Sequence, residues 1–186
     1  MHIADTERTH LREIERTDAP FICTLLNQPS FLRYIGDRRV RTTEDAASFI
    51  ETRYQQSYRE HGFGLYLVEL RESATPIGMC GFVRRPGLAG PDMGFAFLPE
   101  FEGRGFAYES AVAALQYART RIDLTTLLAI AQPDNLRSHR LLSRLGFFST
   151  GVTTLPGETQ SVEIFTLTAD AAADVNADRE DATGYS

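Results

Sequence analysis

The segment EGRGFA at residues 102–107 has the composition of an anion-binding turn. It follows a predicted strand and opens a predicted helix, so its amides have no helical partner. Unpaired amides and the helix dipole attract phosphate, and glycines let phosphate oxygens approach the backbone closely. A tight connection without a ligand is the commoner role of an isolated G-x-G. A dinucleotide-binding fingerprint is disfavoured, because Tyr108 occupies the third glycine position.

Two residue types that carry out covalent chemistry in other enzymes are absent or isolated here. All 19 basic residues are arginine, so the chain has no lysine. A Schiff-base lysine, a Walker-type phosphate loop and a protein-kinase ATP site are therefore excluded. Cys23 and Cys80 lie far apart without a histidine at ligand spacing, so we predict neither a metal site nor a disulfide.

The distribution of charge restricts the partners. The formal net charge is −6 at pH 7, and the last residues, 169–186, carry much of it. The rest of the chain lacks the cationic excess that nucleic-acid binding requires. No apolar run is long enough to span a bilayer, and the N-terminal residues are charged where a signal peptide is apolar. We therefore expect a cytoplasmic protein with no nucleic-acid or membrane partner.

The hydrophobic pattern that must position the turn indicates one α/β domain over residues 1–168, followed by a flexible acidic tail at 169–186. A strand at 10–14 precedes two predicted helices, which start at Thr17 or Asp18 and at Thr42 or Thr43. Residues 30–41 between them are predicted to be a loop. Further strands are predicted at 62–70, 76–85, 92–98, 125–131, 147–154 and 162–168, and further helices at 106–121 and 136–145. The first three of these strands form an antiparallel meander, and the strand at 125–131 is expected to be buried on both faces.

Two motifs resemble those of the GNAT acyltransferase superfamily. F-L-P-E-F-E-G-R-G-F-A-Y-E-S at 97–110 is similar to its acetyl-CoA pyrophosphate loop, and N-x-x-S-x-x-L-L-x-R-L-G-F at 135–147 to its second motif. Nearer the N-terminus, R-Y-I-G and T-T-E-D-A resemble the RimJ/RimL-type branch. The resemblance implies a single domain with a mixed, mostly antiparallel central sheet flanked by helices. Its central strands, 93–98 and 126–131, would splay apart to hold acetyl-CoA.

The resemblance implies acetyl-CoA as co-substrate and no metal. Amides of residues 103–108 would bind the pyrophosphate, and the backbone near Phe97 and Leu98 would pair with the pantetheine arm. The implied cofactor-binding residues are Phe97, Leu98, Glu102, Gly103, Arg104, Gly105, Phe106, Ala107, Asn135 and Arg140. Arg104 and Arg140 would meet the remaining phosphate, although exposed arginines are equally often only solvated. Glu100 stands where the family often has Gln or Arg, which weakens one side-chain contact.

Acyl transfer to an amine needs a neutral nitrogen, a polarised carbonyl and a proton for the leaving thiolate. The resemblance implies direct transfer in a ternary complex, with Ser138 as proton donor and Asp92 as base. Leu142 replaces the tyrosine acid of many GNAT enzymes. Each candidate also has a simpler role, Ser138 on a helix surface and Asp92 as a turn carboxylate after Pro91. Weaker candidates are Glu100, Glu109 and His139.

The implied acceptor is a primary amine. At pH 7 about a tenth of an α-amine is neutral, against about one part in a few thousand of a lysine amine. Weak base machinery therefore favours a protein or peptide N-terminus, with a small-molecule amine as the alternative. The residues expected to line the acceptor end, or else to form only an exposed basic loop, are Arg33, Tyr34, Arg38, Arg39 and Arg41. In the first case they would favour anionic groups on the substrate.

Two other functions remain open at this point. A catalytically silent acyl-CoA-binding or sensing domain is the main alternative, because Leu142 replaces the usual tyrosine and no base is obvious. A nucleotide-dependent enzyme that uses the glycine turn is the third. A monomer and a homodimer are both compatible with the sequence.

Overall fold

A mixed β-sheet forms the centre of the protein. The structure, a computed structural model, describes residues 1–122 and 127–168. Within these ranges the strands are β1 (His2–Asp5), β2 (Thr9–Glu13), β3 (Leu65–Leu70), β4 (Pro76–Val83), β5 (Asp92–Phe97), β6 (Leu127–Ala131), β7 (Phe148–Thr154) and β8 (Ser161–Leu167). They form one sheet in the order β1-β2-β3-β4-β5-β6-β8-β7. The predicted meander is confirmed, because β3, β4 and β5 pair antiparallel in sequence.

Helices flank the sheet. Those described are α1 (Ala19–Leu26), α2 (Pro29–Tyr34), α3 (Thr43–Phe49), α4 (Gln56–His61), α5 (Phe106–Arg121) and α6 (Leu136–Arg144). A π-helical stretch, Ile50–Gln55, joins α3 to α4 without a break. The predicted cap of α3 is confirmed: the Thr42 hydroxyl accepts from the Asp45 amide at 3.1 Å, and the Asp45 carboxylate accepts from the Thr42 amide at 3.0 Å. None of the helices described is long and apolar enough to cross a membrane.

Successive side chains along a strand point to opposite faces of the sheet, so the buried side chains form two cores, one on each face. Val68 and Cys80 pack on the α5 side of the sheet, while Leu67 and Met79 pack on the side covered by α1 to α4. Complete burial raises the pKa of the Cys80 thiol to about 12. A thiol that stays protonated is a poor nucleophile, so Cys80 belongs to the core, as the sequence predicts.

The sheet opens between its two parallel strands. β5 and β6 pair only through Asp92 with Leu128 and Met93 with Ala129. Beyond these pairs β5 remains bonded to β4, and β6 remains bonded to β8. The two strands therefore diverge, and the backbone of β5 from residue 94 onward has no strand partner on the β6 side within the described residues. The predicted mixed, mostly antiparallel sheet with splayed central strands is confirmed.

The structure corrects the N-terminal part of the prediction. β1 was not predicted, because this short edge strand pairs only with β2 and its residues are mostly exposed. The loop predicted at 30–41 contains most of α2, which begins at Pro29 and is anchored by the buried Phe31. Proline suits the first turn of a helix because its fixed φ is already helical.

The prediction for the C-terminal half also needs correction. β6 is not buried on both faces: Leu127, Ala129 and Ala131 are buried, whereas Leu128 and Ile130 are partly exposed. The second face stays open because Ile130 lines the cleft that the splayed strands create. Residues 125–126 of the predicted strand and the predicted tail at 169–186 lie outside the described residues.

Candidate active site

The divergence of β5 and β6 opens into a cleft of about 1560 Å³. It extends from the glycine turn, past the start of α6, to α2 and the turn between β7 and β8. The structure brings most of the predicted site residues to its walls. These are Arg33, Tyr34, Asp92, Phe97, Glu102, Gly103, Gly105, Ala107, Asn135, Ser138 and Arg140.

Three predicted cofactor residues lie beside the cleft and do not line it with their side chains. Leu98 packs against the core under α1 to α4, and its amide donates to the Ile77 carbonyl at 2.9 Å. Phe106 is buried, and the Arg104 guanidinium lies over its ring at 5.2 Å from the centroid. Leu98 and Phe106 would therefore contact a ligand in the cleft chiefly through their backbone, whereas the side chain of Arg104 is exposed.

The glycine turn has the backbone geometry of an anion site. Gly103 and Gly105 adopt left-handed conformations with φ of +71° and +85°. The Glu109 amide makes the first helical bond, to the Gly105 carbonyl at 3.0 Å, so the amides of residues 106–108 precede the helical ladder. A Cβ placed on Gly103 would meet no atom within 4 Å. The space in front of the turn is therefore open to a phosphate, as the sequence predicts.

The buried carboxylate of Glu109 stabilises this turn through Arg8. Glu109 accepts hydrogen bonds from the Arg8 amide at 2.8 Å and from Arg8 Nε at 2.7 Å, and Arg8 Nη1 donates to the Arg104 carbonyl at 3.1 Å. Burial raises the pKa of Glu109, but the hydrogen bonds from Thr6 and Arg8 outweigh it and hold the pKa below its usual range. Glu109 thus acts as an anchor for the turn and is unsuited to be a base.

Asn135 and Ser138 form the start of α6 at the edge of the cleft. The Asn135 side-chain oxygen caps the helix by accepting from the Ser138 amide at 3.2 Å. Ser138 is half-buried, and its hydroxyl makes no hydrogen bond to another described residue. His139 points elsewhere, with Nε2 at 3.0 Å from the Gln132 carbonyl and its ring against Phe165. Ser138 therefore offers a free hydroxyl to a ligand, whereas His139 does not line the cleft.

The arginines around α6 differ in what they already bind. Arg137 forms an ion pair with Glu102, and Arg144 lies 4.4 Å from the centroid of the Tyr108 ring. Arg140 is exposed, lines the cleft and forms no ion pair among the described residues. Arg140 is therefore available to an added phosphate, and Arg144, which also lines the cleft without an ion pair among the described residues, rests on the Tyr108 ring.

Asp92 lies at the closed end of the split, where β5 and β6 still pair. Its side chain is fully buried, and Arg85 Nε donates to both carboxylate oxygens at 3.0 Å. Burial raises the pKa of Asp92 to about 6, although Arg85 acts in the opposite direction. A carboxylate with this pKa is ionised at neutral pH and still basic enough to accept a proton. Asp92 is therefore a feasible base and is not the solvated turn carboxylate of the alternative interpretation.

Arginines surround the other end of the cleft, as predicted, but not all of them are free. Arg33 is paired with Asp134 at 2.8 Å and lies over the Tyr34 ring, and Arg41 is paired with Asp37. Arg41 does not line the cleft, whereas the half-buried Arg38 does.

Sequence reasoning missed three further arginines. Arg53 and Arg85 line the same end of the cleft, and Arg8 braces the glycine turn. Arg53 fits an ordinary helix pattern. The partner of Arg8, Glu109, is remote in sequence, and the partner of Arg85, Asp92, lies across a turn. No local signal marked them.

A mixed sheet that splits between two parallel strands, with a glycine turn at the head of the split, is the architecture of the GNAT fold. A family model described as an acetyltransferase (GNAT) domain matches residues 8–148, and the chain belongs to this family. The predicted family, fold and enzymatic class are thereby confirmed.

Named relatives and solved structures agree with this family. The uncharacterized N-acetyltransferase YoaA of Bacillus subtilis (strain 168) is 30% identical over 153 residues, which cover 81% of this chain and 85% of that protein. RimL, a ribosomal L7/L12 alpha-N-protein acetyltransferase solved in complex with coenzyme A, matches with a TM-score of 0.78 and 18% identity over 92% of this chain and 99% of that one. A spermidine N-acetyltransferase chimera from Vibrio cholerae and hSSAT matches with a TM-score of 0.71 and 20% identity over 89% of this chain and 98% of that one.

Proposed function

We propose that this protein is an acetyl-CoA-dependent N-acetyltransferase that acetylates a primary amine, with a protein or peptide N-terminal α-amine favoured over a small-molecule amine. The observation that carries the proposal is the split between β5 and β6, which begins beyond Met93 and Ala129 and leads to the glycine turn. RimL is named as an acetyltransferase of a protein α-amine, which supports an N-terminal acceptor. The spermidine acetyltransferase match keeps a small amine as the second candidate.

The residues present fit acetyl-CoA. Amides at 103–108 would bind its pyrophosphate at the open left-handed turn, and the unpaired edge of β5 near Phe97 would pair with the pantetheine amides. The Asn135 amide nitrogen would reach the same arm, because only the oxygen is used in capping α6. Arg140 would neutralise a further phosphate. When bound, acetyl-CoA supplies an activated acetyl thioester, and the proposal needs no metal.

The chain's own groups then supply the proton transfers. A backbone amide near Phe97 would stabilise negative charge on the carbonyl oxygen. Asp92 would accept the proton of the attacking amine, directly or through a water, since burial raises its pKa to about 6. Ser138 would donate a proton to the leaving thiolate from its free hydroxyl and regain one from water, while Asp92 releases to water the proton that it took from the amine. The acetyl group passes directly from sulfur to nitrogen, and no covalent bond to the enzyme is formed.

The proposal is tested by measuring thiol release from acetyl-CoA with a panel of short peptides and amines, together with calorimetric titration of CoA. Turnover with any primary amine supports an N-acetyltransferase, and a preference for free N-terminal α-amines over blocked peptides containing lysine supports the favoured acceptor. Tight CoA binding without turnover on any acceptor would contradict the proposal and favour the silent acyl-CoA-binding domain. Preference for NAD or ATP over CoA would instead favour a nucleotide-dependent enzyme.

A further inference from the structure

We propose that the acceptor carries an anionic group, a carboxylate or a phosphate, close to its amine, and that Arg38 and Arg53 bind this group at the acceptor end of the cleft. The inference rests on the proposed function and names the substrate class of the same site. Arg38 and Arg53 differ from Arg33 and Arg85, which also line this end of the cleft, because they form no ion pair among the described residues.

Arg33, Arg41 and Arg85 are engaged within the protein. They form ion pairs with Asp134, Asp37 and Asp92, respectively. Arg38 and Arg53 form no ion pair among residues 1–122 and 127–168, yet both line the cleft.

The exposed Arg39 and Arg84 also line the cleft without an ion pair among the described residues. Arg38 and Arg53 are selected from these four because the charge of Arg53 acts directly on Arg38. Two unpaired guanidinium groups therefore lie near each other on the wall of the cleft.

Arg38 is the more confined of the two. It is half-buried, and its Nη2 donates only to the Ile35 carbonyl, at 3.2 Å. Burial lowers the pKa of its guanidinium, and the nearby positive charges of Arg85 and Arg53 lower it further. Removing a cation from water next to two others is costly unless an anion compensates. A carboxylate or phosphate from the acceptor would supply that compensation.

The negative groups around this site do not cancel its charge. Both carboxylate oxygens of Asp92 accept from Arg85 Nε. Asp37 and Glu60 also line the cleft: Asp37 pairs with Arg41, and Glu60 accepts from Gln56 Nε2 at 2.6 Å. Glu158, in the exposed turn between β7 and β8, acts on Arg38 at a distance but forms no ion pair with it. The buried Tyr54 hydroxyl contacts the Met79 sulfur at 3.6 Å and is neutral, because burial raises its pKa. The acceptor end is therefore positive overall and favours anions over polyamines.

The distance between the two arginines and the proposed base, Asp92, determines how far the anionic group of the acceptor lies from its amine. Arg85 contacts the proposed base, Asp92, and also lies near Arg38. An anion bound by Arg38 and Arg53 is thus close to the place where the amine loses its proton. An acidic side chain in the first residues of a peptide meets this requirement, as does the carboxylate or phosphate of a small amine.

The test compares C-terminally amidated peptides that share an N-terminal serine and differ only in the next two residues: Ser-Ala-Ala-Ala, Ser-Asp-Asp-Ala and Ser-Arg-Arg-Ala. A peptide with phosphoserine at the second position and free aspartate serve to distinguish the sources of the anion. We measure kcat/KM for each and, by calorimetry, the affinity of each for the CoA-loaded protein. We expect the acidic peptide to be preferred over the neutral one by about tenfold or more, the size of one charge-assisted hydrogen bond.

Arg38→Met and Arg53→Met each should bring this ratio close to one while leaving CoA affinity unchanged. Arg59→Met is the matched control, because Arg59 is exposed on α4 and does not line the cleft. It should retain the full ratio. Equal use of the three peptides by the wild type, or an unchanged ratio in both variants, would overturn the inference while leaving the acetyltransferase function standing. If no peptide turns over, the peptide acceptor fails, and the proposed acetyltransferase function fails only if no small amine turns over either. In both cases the calorimetric preference for the acidic peptide alone decides the anion site.

Discussion

At the scale of single residues, Gly103 is the clearest test of the cofactor site. Gly103→Val places a branched side chain at φ +71°, in the space that a phosphate would occupy. We expect acetyl-CoA affinity to fall by at least about tenfold, since the side chain strains the turn and blocks close approach of the phosphate. Isothermal titration calorimetry measures the affinity, and circular dichroism checks the fold.

The matched control for Gly103 is Gly62→Val. Gly62 has φ +74° and equally open surroundings, but it ends α4 and does not line the cleft. Both substitutions carry a similar backbone cost, about 1–2 kcal/mol. Equal affinity losses in the two variants would attribute the effect to general destabilisation and remove the turn from the site.

Ser138 tests the proton donor. Ser138→Ala should lower kcat about 10²-fold or more while changing acetyl-CoA affinity little, because a proton donor to the thiolate acts mainly in the transition state. Single-turnover kinetics and calorimetry separate the two effects. Ser143→Ala, on the exposed part of the same helix, is the control and should behave as wild type. Weaker binding with normal single-turnover chemistry would reassign Ser138 to the cofactor.

Asp92 gives a prediction for pH dependence. Its pKa is raised by burial from 3.8 to about 6, so kcat/KM should fall about tenfold per pH unit below pH 6 as the base becomes protonated. The raised pKa also means that protonation of Asp92 stabilises the folded state, and its contribution to stability decreases as pH rises from about 4 to about 6. Loss of activity below pH 6 therefore does not come from unfolding caused by this group.

Asp92→Asn checks that assignment. The variant should have a lower kcat/KM and should lose the acid limb near pH 6, whereas the exposed Asp5→Asn should retain both the rate and the limb. Initial-rate profiles from pH 5 to 9 measure this. The same acid limb in Asp92→Asn would show that another group titrates, and Asp92 would then be a structural partner of Arg85.

At the scale of elements, Arg8 connects Glu109 of α5 to the Arg104 carbonyl and so forms a brace behind the glycine turn. Removing this brace should lower both the stability of the protein and its acetyl-CoA affinity. Glu109→Gln removes the negative charge on α5 that pairs with Arg8, the residue just before β2, and weakens the hold of Arg8 on the Arg104 carbonyl. We expect a loss of about 1–3 kcal/mol in the free energy of unfolding. Acetyl-CoA affinity should fall severalfold. Chemical denaturation, calorimetry and hydrogen exchange at amides 103–108 provide the measurements.

Glu51→Gln is the control for this brace. It removes an ion pair with Arg16 in which both side chains are exposed, and such pairs contribute little. Its stability and acetyl-CoA affinity should stay close to wild type. If Glu109→Gln leaves exchange at the turn unchanged, the turn does not depend on this brace.

Elements with strong local signals were predictable, and elements defined by distant partners were not. Thr42 and Asp45 form the cap that the sequence indicates, and α5 has its predicted bounds, 106–121. The edge strand β1 exists because β2 lies beside it, and α2 begins at a proline within a segment of mixed polarity. Arg8 follows the same rule, since its partner Glu109 is 101 positions away in the chain.

At the scale of the whole molecule, the split in the sheet is the property that no local pattern contains. Both β5 and β6 look like ordinary strands, and only the resemblance to a family implied their divergence. The structure shows where pairing stops, after Met93 and Ala129. The predicted site residues meet because they lie along the two sides of this split, whereas Arg38, Arg53 and Arg85 reach it from elements that the sequence does not mark as part of a site.

This split leads to a prediction about stability. Within the sheet, the β1–β5 part and the β6–β8 part are joined by only two residue pairs among the described residues, both between β5 and β6, so a ligand in the cleft should add a connection between them. CoA at about 100 times its dissociation constant should stabilise the protein by about 2.7 kcal/mol, and should raise Tm by roughly 5–10 °C. Hydrogen exchange should slow on both sides of the split, in the glycine turn and in β6.

The variants of Gly103 and Gly62 test whether this stabilisation depends on CoA bound in the cleft. At one fixed CoA concentration, Gly103→Val should show little increase in Tm, whereas Gly62→Val should show the same increase as wild type from its own lower starting point. Differential scanning fluorimetry measures both. Protection confined to the glycine turn, with exchange in β6 unchanged, would show that CoA contacts only the β1–β5 side of the split and does not connect the two parts of the sheet.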